Sequence, residues 1–188
     1  MSCPPFIHPL ALVESEAIGD NTKIWPFVHV LPGARIGKDC NICEHVFIEN
    51  QVVLGDAVTV KSGVYMWDGL IVHDGVFIGP NATFTNDRRP RSKKYIDQYA
   101  ITRVLDGASL GAGCILIAGV TIGRHAMVGA GAVVSRDVLD YELVYGNPAK
   151  CRGHICRCAQ KLDFDSSGLS LCSCGLRYHL ENGKVCPS

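Results

Sequence analysis

Residues 110–134, LGAGCILIAGVTIGRHAMVGAGAVV, carry a large aliphatic side chain at every sixth position. These positions are Leu110, Leu116, Ile122, Val128 and Val134. The same six-residue period runs without interruption from Leu12 to Phe84 and resumes at Val104. An α-helix repeats about every 3.6 residues and an ordinary strand about every 2 residues, so neither produces this pattern. The sequence therefore predicts a repeating unit of its own, stacked into a solenoid.

A second apolar residue, usually smaller, follows most of the large ones four positions later, as at Val46 and Cys114. Two inward residues in six describe one short, flat strand and its corner, and three such strands close a coil of about eighteen residues. The two runs allow roughly four coils before residue 85 and roughly two after residue 104. Glycine often follows the large residue directly, as at Gly79 and Gly111, where a turn needs either φ > 0 or the absence of a Cβ.

This pattern resembles that of the hexapeptide-repeat acyltransferases over residues 8 to about 150. The resemblance implies an all-β chain whose strands form a left-handed parallel β-helix with one extended loop. We therefore expect a β-helix domain at residues 1–150, with an excursion loop at about 85–103, and a small cysteine-rich tail at residues 151–188.

The composition excludes several functional classes. Eighteen basic residues balance eighteen acidic ones, so no overall charge favours nucleic acid or an acidic membrane surface as a partner. No stretch approaches the roughly eighteen uninterrupted apolar residues of a membrane span, and the first residues lack the pattern of a secretory signal. We expect a soluble cytoplasmic protein that binds neither nucleic acid nor membrane.

The excursion loop is the one strongly cationic segment of the sequence. Arg88, Arg89, Arg91, Lys93 and Lys94 lie within seven residues. A long excursion from a regular solenoid is usually functional or disordered. The loop could bind a diphosphate or an acidic face of a partner subunit, or it could be a solvated surface loop.

Longer motifs narrow the resemblance. They are HPLALVESEAIGDNTKIWPFVHVLPGARIG at residues 8–37, VKSGVYMWDGLIVHDGVFIGPNATFTNDRRPRSKKY at 60–95, VGAGAVVSRDV at 128–138 and YGNPAK at 145–150. Together they resemble the bacterial N-acetyltransferases of nucleotide-linked 3-amino sugars. The strings WDG, FTND and PRSK favour the group that acts on dTDP-3-amino-3,6-dideoxyhexoses; the other group acts on UDP-2-acetamido-3-amino-2,3-dideoxyglucuronate.

This resemblance implies acetyl-CoA as co-substrate, a homotrimer with sites between subunits, and a product destined for a cell-surface polysaccharide such as the O-antigen of lipopolysaccharide. The residues support an amine as acceptor. Alcohol-acylating enzymes of this type generally use a histidine base, whereas no histidine occurs between His73 and His125. Positioning and oxyanion stabilisation would then supply most of the catalysis. The alternative to an enzyme is a non-catalytic scaffold, which would leave the basic loop unexplained.

The resemblance also assigns candidate site residues. Asn86 is the first candidate to hold the amino sugar or the tetrahedral intermediate, and Asp87 is the second, although Asp87 could instead open an Asx-turn. Candidate substrate-binding residues are Trp67, Asp68, Arg88 and Arg91. Candidate acetyl-CoA-binding residues are Gly111, Ala112, Ala130, Gly131, Arg136 and Lys150. Trp25 is expected between subunits.

The tail contains two cysteine doublets, Cys156 with Cys158 and Cys172 with Cys174. They resemble a zinc ribbon, in which four thiolates hold a tetrahedral Zn²⁺ and stabilise a domain too small for a core. The C-x-C spacing is tighter than the usual C-x-x-C. Other ligands could therefore contribute, namely Cys151, His154, His179 and Cys186, and a ribbon without metal is the alternative.

Overall fold

A computed structural model describes residues 3–94 and 96–188, and the regular secondary structure of these residues consists of short β-strands. Before the excursion loop the strands are β1 (Phe6–Ile7), β2 (Leu12–Val13), β3 (Lys23–Ile24), β4 (His29–Val30), β5 (Arg35–Ile36), β6 (Asn41–Ile42), β7 (Phe47–Ile48), β8 (Val53–Leu54), β9 (Thr59–Val60), β10 (Tyr65–Met66), β11 (Leu70–Val72), β12 (Phe77–Ile78) and β13 (Thr83–Phe84). Residues 1, 2 and 95, which belong to the expected β-helix domain, lie outside the described residues.

After the loop the strands are β14 (Thr102–Val104), β15 (Ser109–Leu110), β16 (Ile115–Leu116), β17 (Thr121–Ile122), β18 (Met127–Val128), β19 (Val133–Val134), β20 (Glu142–Tyr145), β21 (Lys150–Ile155), β22 (Lys161–Leu162), β23 (Leu169–Leu171), β24 (Arg177–Glu181) and β25 (Lys184–Pro187). The loop between β13 and β14 therefore spans residues 85–101, slightly less than the expected 85–103. In the described residues, no helix has the length and apolar character required to cross a bilayer.

Three parallel sheets form the three faces of a β-solenoid. The first face stacks β1, β3, β6, β9, β12, β15, β18 and β20, the second stacks β2, β4, β7, β10, β13, β16 and β19, and the third stacks β5, β8, β11, β14 and β17. The pairing of Lys23 with Asn41 and of Asn41 with Thr59 gives a coil of eighteen residues. The predicted parallel β-helix of hexapeptide repeats is confirmed, with eight strands stacked on its first face.

The inward side chains form one continuous apolar column. The large residues from Ile24 to Phe84 and from Val104 to Val134 are buried at every sixth position, and so are the second apolar residues of each hexad from Val28 to Ala82 and from Ala108 to Val138. At about 1.5–3 kcal/mol for each fully buried aliphatic side chain, this column is the main source of stability. Each two-residue strand from β3 to β19 turns one residue inward, whereas the three-residue β11 turns both Leu70 and Val72 inward.

The first coil departs from the predicted register. Val13 pairs with Val30, seventeen positions ahead, so Val13 takes the inward place and packs partly against the core. Leu12, which we predicted to point inward, is 56% exposed. The prediction for Leu12 is wrong because the N-terminal coil is one residue shorter than the others, and a shift of one residue turns every side chain of a strand to the opposite face.

The turns of the solenoid need a residue without a Cβ and a residue with positive φ, and these two needs fall at different positions. A Cβ added to Gly79 would lie 2.7 Å from the backbone nitrogen of Ala112 in the next coil, so this position excludes a side chain. The left-handed conformation falls two residues later in the turn, at Asn81 (φ 56°) and Gly113 (φ 63°). Glycine follows the large inward residue because the next coil lies too close for a Cβ.

Candidate functional site

Two corners of the solenoid contain most of the predicted site residues, and they border the second face on opposite sides. The glycine corner, residues 79–82, 111–113 and 129–131, precedes strands of the second face. The loop corner, residues 67–69, 85–87, 117–119 and 135–137, follows them. The excursion loop leaves the solenoid from the loop corner.

The loop corner brings together four of the residues predicted to bind or act on the substrate. Tyr65 pairs with Thr83, so Trp67 and Asp68 lie one coil below Thr85 and Asn86. Asp87 follows directly. The candidate acceptor-side residues therefore lie on one edge of the solenoid although Asp68 and Asn86 are eighteen positions apart in the sequence.

The beginning of the loop is fixed to the coil above it. The Thr85 hydroxyl accepts a hydrogen bond from the Ala118 N–H at 2.9 Å. The Nε of Arg88 donates to the Ala118 carbonyl at 2.7 Å. At the other end of the loop, the Gly119 N–H donates to the Thr102 hydroxyl at 2.9 Å. Both ends of the loop are thus anchored to Ala118–Gly119. The sequence does not predict this contact, because small residues occur at many corners of the solenoid.

Asn86 and Asp87 differ in how they are used within the chain. The Asp87 carboxylate accepts a hydrogen bond from the Arg89 N–H at 2.7 Å, which is the Asx-turn that we considered as its alternative role. The Asn86 side chain is half-buried and makes no hydrogen bond within the described part of the chain. Its amide is therefore available to a ligand, while Asp87 shapes the backbone of the loop.

Asp68, Trp67 and Arg91 also make contacts within the chain. The Asp68 carboxylate accepts a hydrogen bond from the Gln51 N–H at 2.7 Å, which joins two coils. The Trp67 ring is half-buried and packs beside Phe47, with their ring centroids 5.5 Å apart. Arg91 lies exposed in a turn of the loop, where its guanidinium donates to the carbonyl of Pro90 at 3.0 Å.

Four of the six predicted acetyl-CoA residues lie at the glycine corner. The Gly131 N–H donates to the Ala112 carbonyl at 2.9 Å, so the Gly111–Ala112 turn stacks directly against Ala130–Gly131. Small side chains on successive turns leave a smooth outer edge there. Such an edge suits a long, thin ligand arm that pairs with backbone groups.

Lys150, the fifth predicted residue, lies at the upper end of the glycine corner. Lys150 pairs with Tyr145 of β20. Tyr145 lies directly above Gly129, because a Cβ added to Gly129 would lie only 2.7 Å from the Tyr145 Cβ. The guanidinium of Arg152 lies over the Tyr145 ring at 5.3 Å from its centroid. Arg152 is a further basic residue beside Lys150, and its position two residues later on the same strand, β21, places both on one face.

Arg136 lies at the loop corner rather than with the other five. Its guanidinium donates to the Glu142 carboxylate at 2.9 and 3.4 Å and to the Asp137 carbonyl at 2.6 Å. Glu142 is buried and also accepts a hydrogen bond from the Leu139 N–H at 2.8 Å. These bonds close the last turn of the solenoid, so Arg136 has a structural function there.

The electrostatics of Glu142 follow from these contacts. Burial by itself raises the pKa of the Glu142 carboxyl, but hydrogen bonds from Arg136, from the Leu139 N–H and from the Cys151 thiol outweigh it, and the pKa is lowered. The carboxylate is therefore the stable form in the folded protein, and the turn from Arg136 to Glu142 depends on its charge.

Residues 67–69, 85–87, 117–119 and 135–137 include no histidine, so the loop corner of one chain offers no imidazole base. His125 lies at a different corner, after the third face, and stacks on Tyr141 with a centroid distance of 5.3 Å. Burial and the nearby Arg157 lower the pKa of His125. Its contacts are those of a packing residue.

The four tail cysteines form a compact cluster. Their sulfur atoms all lie within 4.8 Å of one another, with 3.5 Å between the Sγ atoms of Cys156 and Cys174 and 3.4 Å between those of Cys158 and Cys172. Cys151, His154, His179 and Cys186, the other ligands considered, are outside this group.

Comparisons with known proteins agree with this architecture. The family model for bacterial transferase hexapeptide repeats matches residues 17–50 and 102–136. The chain is 54% identical over 180 residues to dTDP-3-amino-3,6-dideoxy-alpha-D-galactopyranose 3-N-acetyltransferase of Aneurinibacillus thermoaerophilus, covering 96% of this chain and 93% of that protein. An alignment of that length extends through most of the tail.

Two solved structures are similar to the fold. One is a mutant of perosamine N-acetyltransferase from Caulobacter crescentus in complex with CoA and GDP-perosamine, which is 29% identical with a TM-score of 0.54 and covers 81% of this chain and 58% of that chain. The other, a hexapeptide-repeat acetyltransferase of Vibrio cholerae complexed with acetyl coenzyme A, is 24% identical with a TM-score of 0.52 and covers 81% and 71% of the two chains. The second similarity shows the fold alone.

The lowered pKa of Glu142 predicts a pH-dependent stability difference. Because the folded-state pKa lies below the unfolded one, the carboxylate stabilises the fold above the unfolded pKa, and this contribution is lost as the pH falls through the folded pKa. Glu142→Gln should lower the free energy of unfolding by about 1.5–3 kcal/mol at neutral pH, with the difference narrowing below about pH 4. Glu16→Gln, at an exposed carboxylate, is the matched control. Denaturant titrations across pH measure both, and a Glu142→Gln deficit that stays constant with pH would contradict the assignment.

Proposed function

This chain belongs to the bacterial hexapeptide-repeat transferases, and on that basis we propose that it is an acetyl-CoA-dependent N-acetyltransferase acting on the 3-amino group of a dTDP-linked 3-amino-3,6-dideoxyhexose. The observation that carries the proposal is the 54% identity to a dTDP-3-amino sugar 3-N-acetyltransferase over nearly the full length of both proteins. The placement of Trp67, Asp68, Asn86 and Asp87 at one corner supports it.

The proposed chemistry requires few catalytic groups. The neutral 3-amino nitrogen attacks the carbonyl carbon of the thioester, the tetrahedral oxyanion collapses, and the C–S bond breaks so that coenzyme A leaves as a thiolate. The proton of the resulting ammonium passes to the thiolate or to water. A sugar amine is partly neutral near pH 7, so the loop corner can act without an imidazole base. Asn86 is the group proposed to hold the reacting amine or the oxyanion.

Acetyl-CoA is proposed to lie along the glycine corner. Backbone groups at Gly111–Ala112 and Ala130–Gly131 would pair with the amides of the pantetheine arm. Lys150 and Arg152 would meet the phosphates, because both basic side chains lie at the end of that corner. We do not extend this role to Arg136, whose donors are directed at Glu142 and Asp137.

We propose that the protein is a homotrimer whose sites lie between subunits. In one chain the glycine corner and the loop corner border opposite sides of the second face. Acetyl-CoA at the glycine corner of one subunit would meet the amino sugar at the loop corner of its neighbour if these two corners lie side by side in the trimer. Outward aromatic residues, including Phe47, Tyr65 and the 37% exposed Trp25, are candidates for such an interface.

The cellular context follows from the same proposal. None of the ten cysteines, all of which lie in the described part of the chain, is paired in a disulfide, which supports the reducing cytoplasm as the compartment, where nucleotide sugars and acetyl-CoA are available. We propose that the product serves cell-surface polysaccharide synthesis, for example that of an O-antigen.

The substrate assignment is tested by thiol release from acetyl-CoA with a panel of acceptors. We expect turnover with dTDP-3-amino-3,6-dideoxyhexoses and much weaker turnover with UDP-2-acetamido-3-amino-2,3-dideoxyglucuronate. Asn86→Ala should lower kcat by about 10²–10³-fold, the usual cost of removing one oxyanion donor. Ser92→Ala, an exposed residue of the same loop, should leave kcat unchanged. Preference for the UDP sugar would reverse the nucleotide assignment, and absence of acetyl-CoA binding by calorimetry would favour the scaffold.

The glycine-corner assignment is tested by donor kinetics. Arg152→Gln should raise KM for acetyl-CoA about tenfold, because it removes one phosphate contact, while kcat stays close to that of the parent. With S-acetyl-pantetheine, which lacks the nucleotide phosphates, parent and variant should have the same KM. Lys38→Gln, at an exposed lysine near the opposite end of the solenoid, is the control. An equal effect on both donors would place Arg152 outside the phosphate site.

The quaternary proposal is tested by sedimentation equilibrium. A mass of three 20.3 kDa chains is expected. A monomer that retains full activity would contradict sites shared between subunits.

A further inference from the structure

The tail presents two equivalent turns that face each other. In the first, the Cys156 N–H donates to the Gln160 carbonyl at 2.8 Å and the Ala159 N–H donates to the Cys156 carbonyl at 2.9 Å. In the second, the Cys172 N–H donates to the Leu176 carbonyl at 2.9 Å and the Gly175 N–H to the Cys172 carbonyl at 2.9 Å. The third residue after the start of each turn has positive φ, 68° at Ala159 and 89° at Gly175. Two identical turns thus direct four thiols to one point.

We propose that these four thiols form a zinc site that fastens the tail to the last coil of the solenoid. The donor set fits: tetrahedral zinc with Zn–S bonds of about 2.3 Å requires sulfur atoms roughly 3.8 Å apart, and the four Sγ atoms lie within 4.8 Å of one another. A cluster of four thiolates is the ligand set that structural zinc takes, and cysteine occupies every position of it.

The tail needs such a stabilising group because its own core is small. The hydrophobic cluster of this part consists of six buried residues, Tyr141 at the end of the solenoid and Cys156, Leu162, Cys172, Tyr178 and Val185 of the tail, and two of the six are members of the cysteine cluster. A segment below about 40 residues rarely orders itself without a metal, a disulfide or a partner. The cluster lies at the edge of this core, between the β21–β22 and β23–β24 turns, with Cys156 and Cys172 buried and Cys158 and Cys174 exposed.

A continuous set of contacts joins the cluster to the solenoid. The Tyr178 hydroxyl lies 3.1 Å from the Cys156 sulfur and accepts a hydrogen bond from the Arg157 N–H at 3.2 Å. The Tyr178 ring meets the Tyr141 ring edge-on with centroids 5.4 Å apart, and Arg157 donates to the Tyr141 hydroxyl at 3.2 and 3.3 Å. Tyr141 is itself stacked on His125 of the last full coil. A metal that fixes the cysteine turns would therefore also fix Tyr178 and Tyr141 at the end of the solenoid.

A second consequence rests on the proposed function. Cys156 directly follows β21, the strand that carries Lys150 and Arg152. Fixing Cys156 fixes the end of that strand, so the metal would hold the proposed phosphate-binding residues in place while lying apart from the reacting atoms. Tyr178 and Arg157 would then be positioning residues.

The test begins with the metal content of the full chain, purified without chelators or added metal. We expect about one zinc per chain by inductively coupled plasma mass spectrometry. Cys158→Ser and Cys174→Ser should each lose the zinc, whereas Cys186→Ser, a tail cysteine outside the cluster, should keep it. Cobalt added to metal-free protein should give the intense thiolate charge-transfer and visible bands of a tetrahedral four-sulfur site, and Cys174→Ser should abolish them.

Amide hydrogen exchange tests the fastening. In Cys174→Ser, exchange should accelerate at least tenfold across residues 156–188 while β6, β9 and β12 stay protected, and KM for acetyl-CoA should rise with kcat retained. Equal amounts of iron instead of zinc, two disulfides found by mass spectrometry, or a tail that stays protected without metal would each overturn the proposal. Because metal content and exchange are read without any substrate, failure of the acetyl-transfer proposal would leave these results interpretable.

Discussion

The close spacing of successive coils is the constraint on which the rest of the structure depends. Backbone hydrogen bonds run from each coil to the next, for example from the Gly37 N–H to the Leu54 carbonyl at 2.9 Å and from the Gly55 N–H to the Val72 carbonyl at 2.8 Å. These bonds fix each inward side chain above the one eighteen residues before it. They also bring the backbone so close at the corners that a Cβ at Gly79 has no room. The six-residue period of the sequence follows from this spacing, because three hexads make one coil of eighteen residues.

The same constraint determines where function can reside. The inward side chains form the apolar column, and the backbone of each strand inside the stack is hydrogen-bonded to the coils on either side. A long insertion can therefore leave the solenoid only at a corner between two strands. The excursion loop does so after Phe84, and the register recovers when Leu70 pairs with Thr102 across it. The loop is anchored to Ala118 by Thr85 and Arg88. The regular scaffold thus supplies a fixed edge, from which the loop begins with the candidate residues Asn86 and Asp87.

The sequence predicted the column well because burial there depends on one residue type at a fixed spacing. It failed at Leu12, where a coil of seventeen residues shifts the register and no local signal marks the shortened turn. The resemblance implied Arg136 as an acetyl-CoA candidate, and the structure places it at the loop corner, bonded to Glu142. The six-residue count after the loop already separates the two corners, because Leu110 and Val134 are four hexads apart and three hexads complete a coil. The stacking of Arg152 on Tyr145 joins two antiparallel strands, and the hydrogen bonds that anchor the loop to Ala118 join segments distant in sequence. The six-residue period predicts neither kind of contact.

The two ends of the solenoid pose a problem that the column itself cannot solve. A stack of coils leaves the apolar layer at each end without a neighbour, and solenoids therefore need terminal caps. At the N-terminal end, Phe6, Ile7 and Leu12 are each at least 40% exposed. At the C-terminal end, β20 turns back into the antiparallel β21, and Tyr141 buries its ring against Tyr178 of the tail. Because the tail is too small to be ordered by its own apolar core, a cap of this kind depends on whatever holds its two cysteine turns together. A metal at that point would make the integrity of one end of the solenoid conditional on four thiolates, while the column beneath it stays intact.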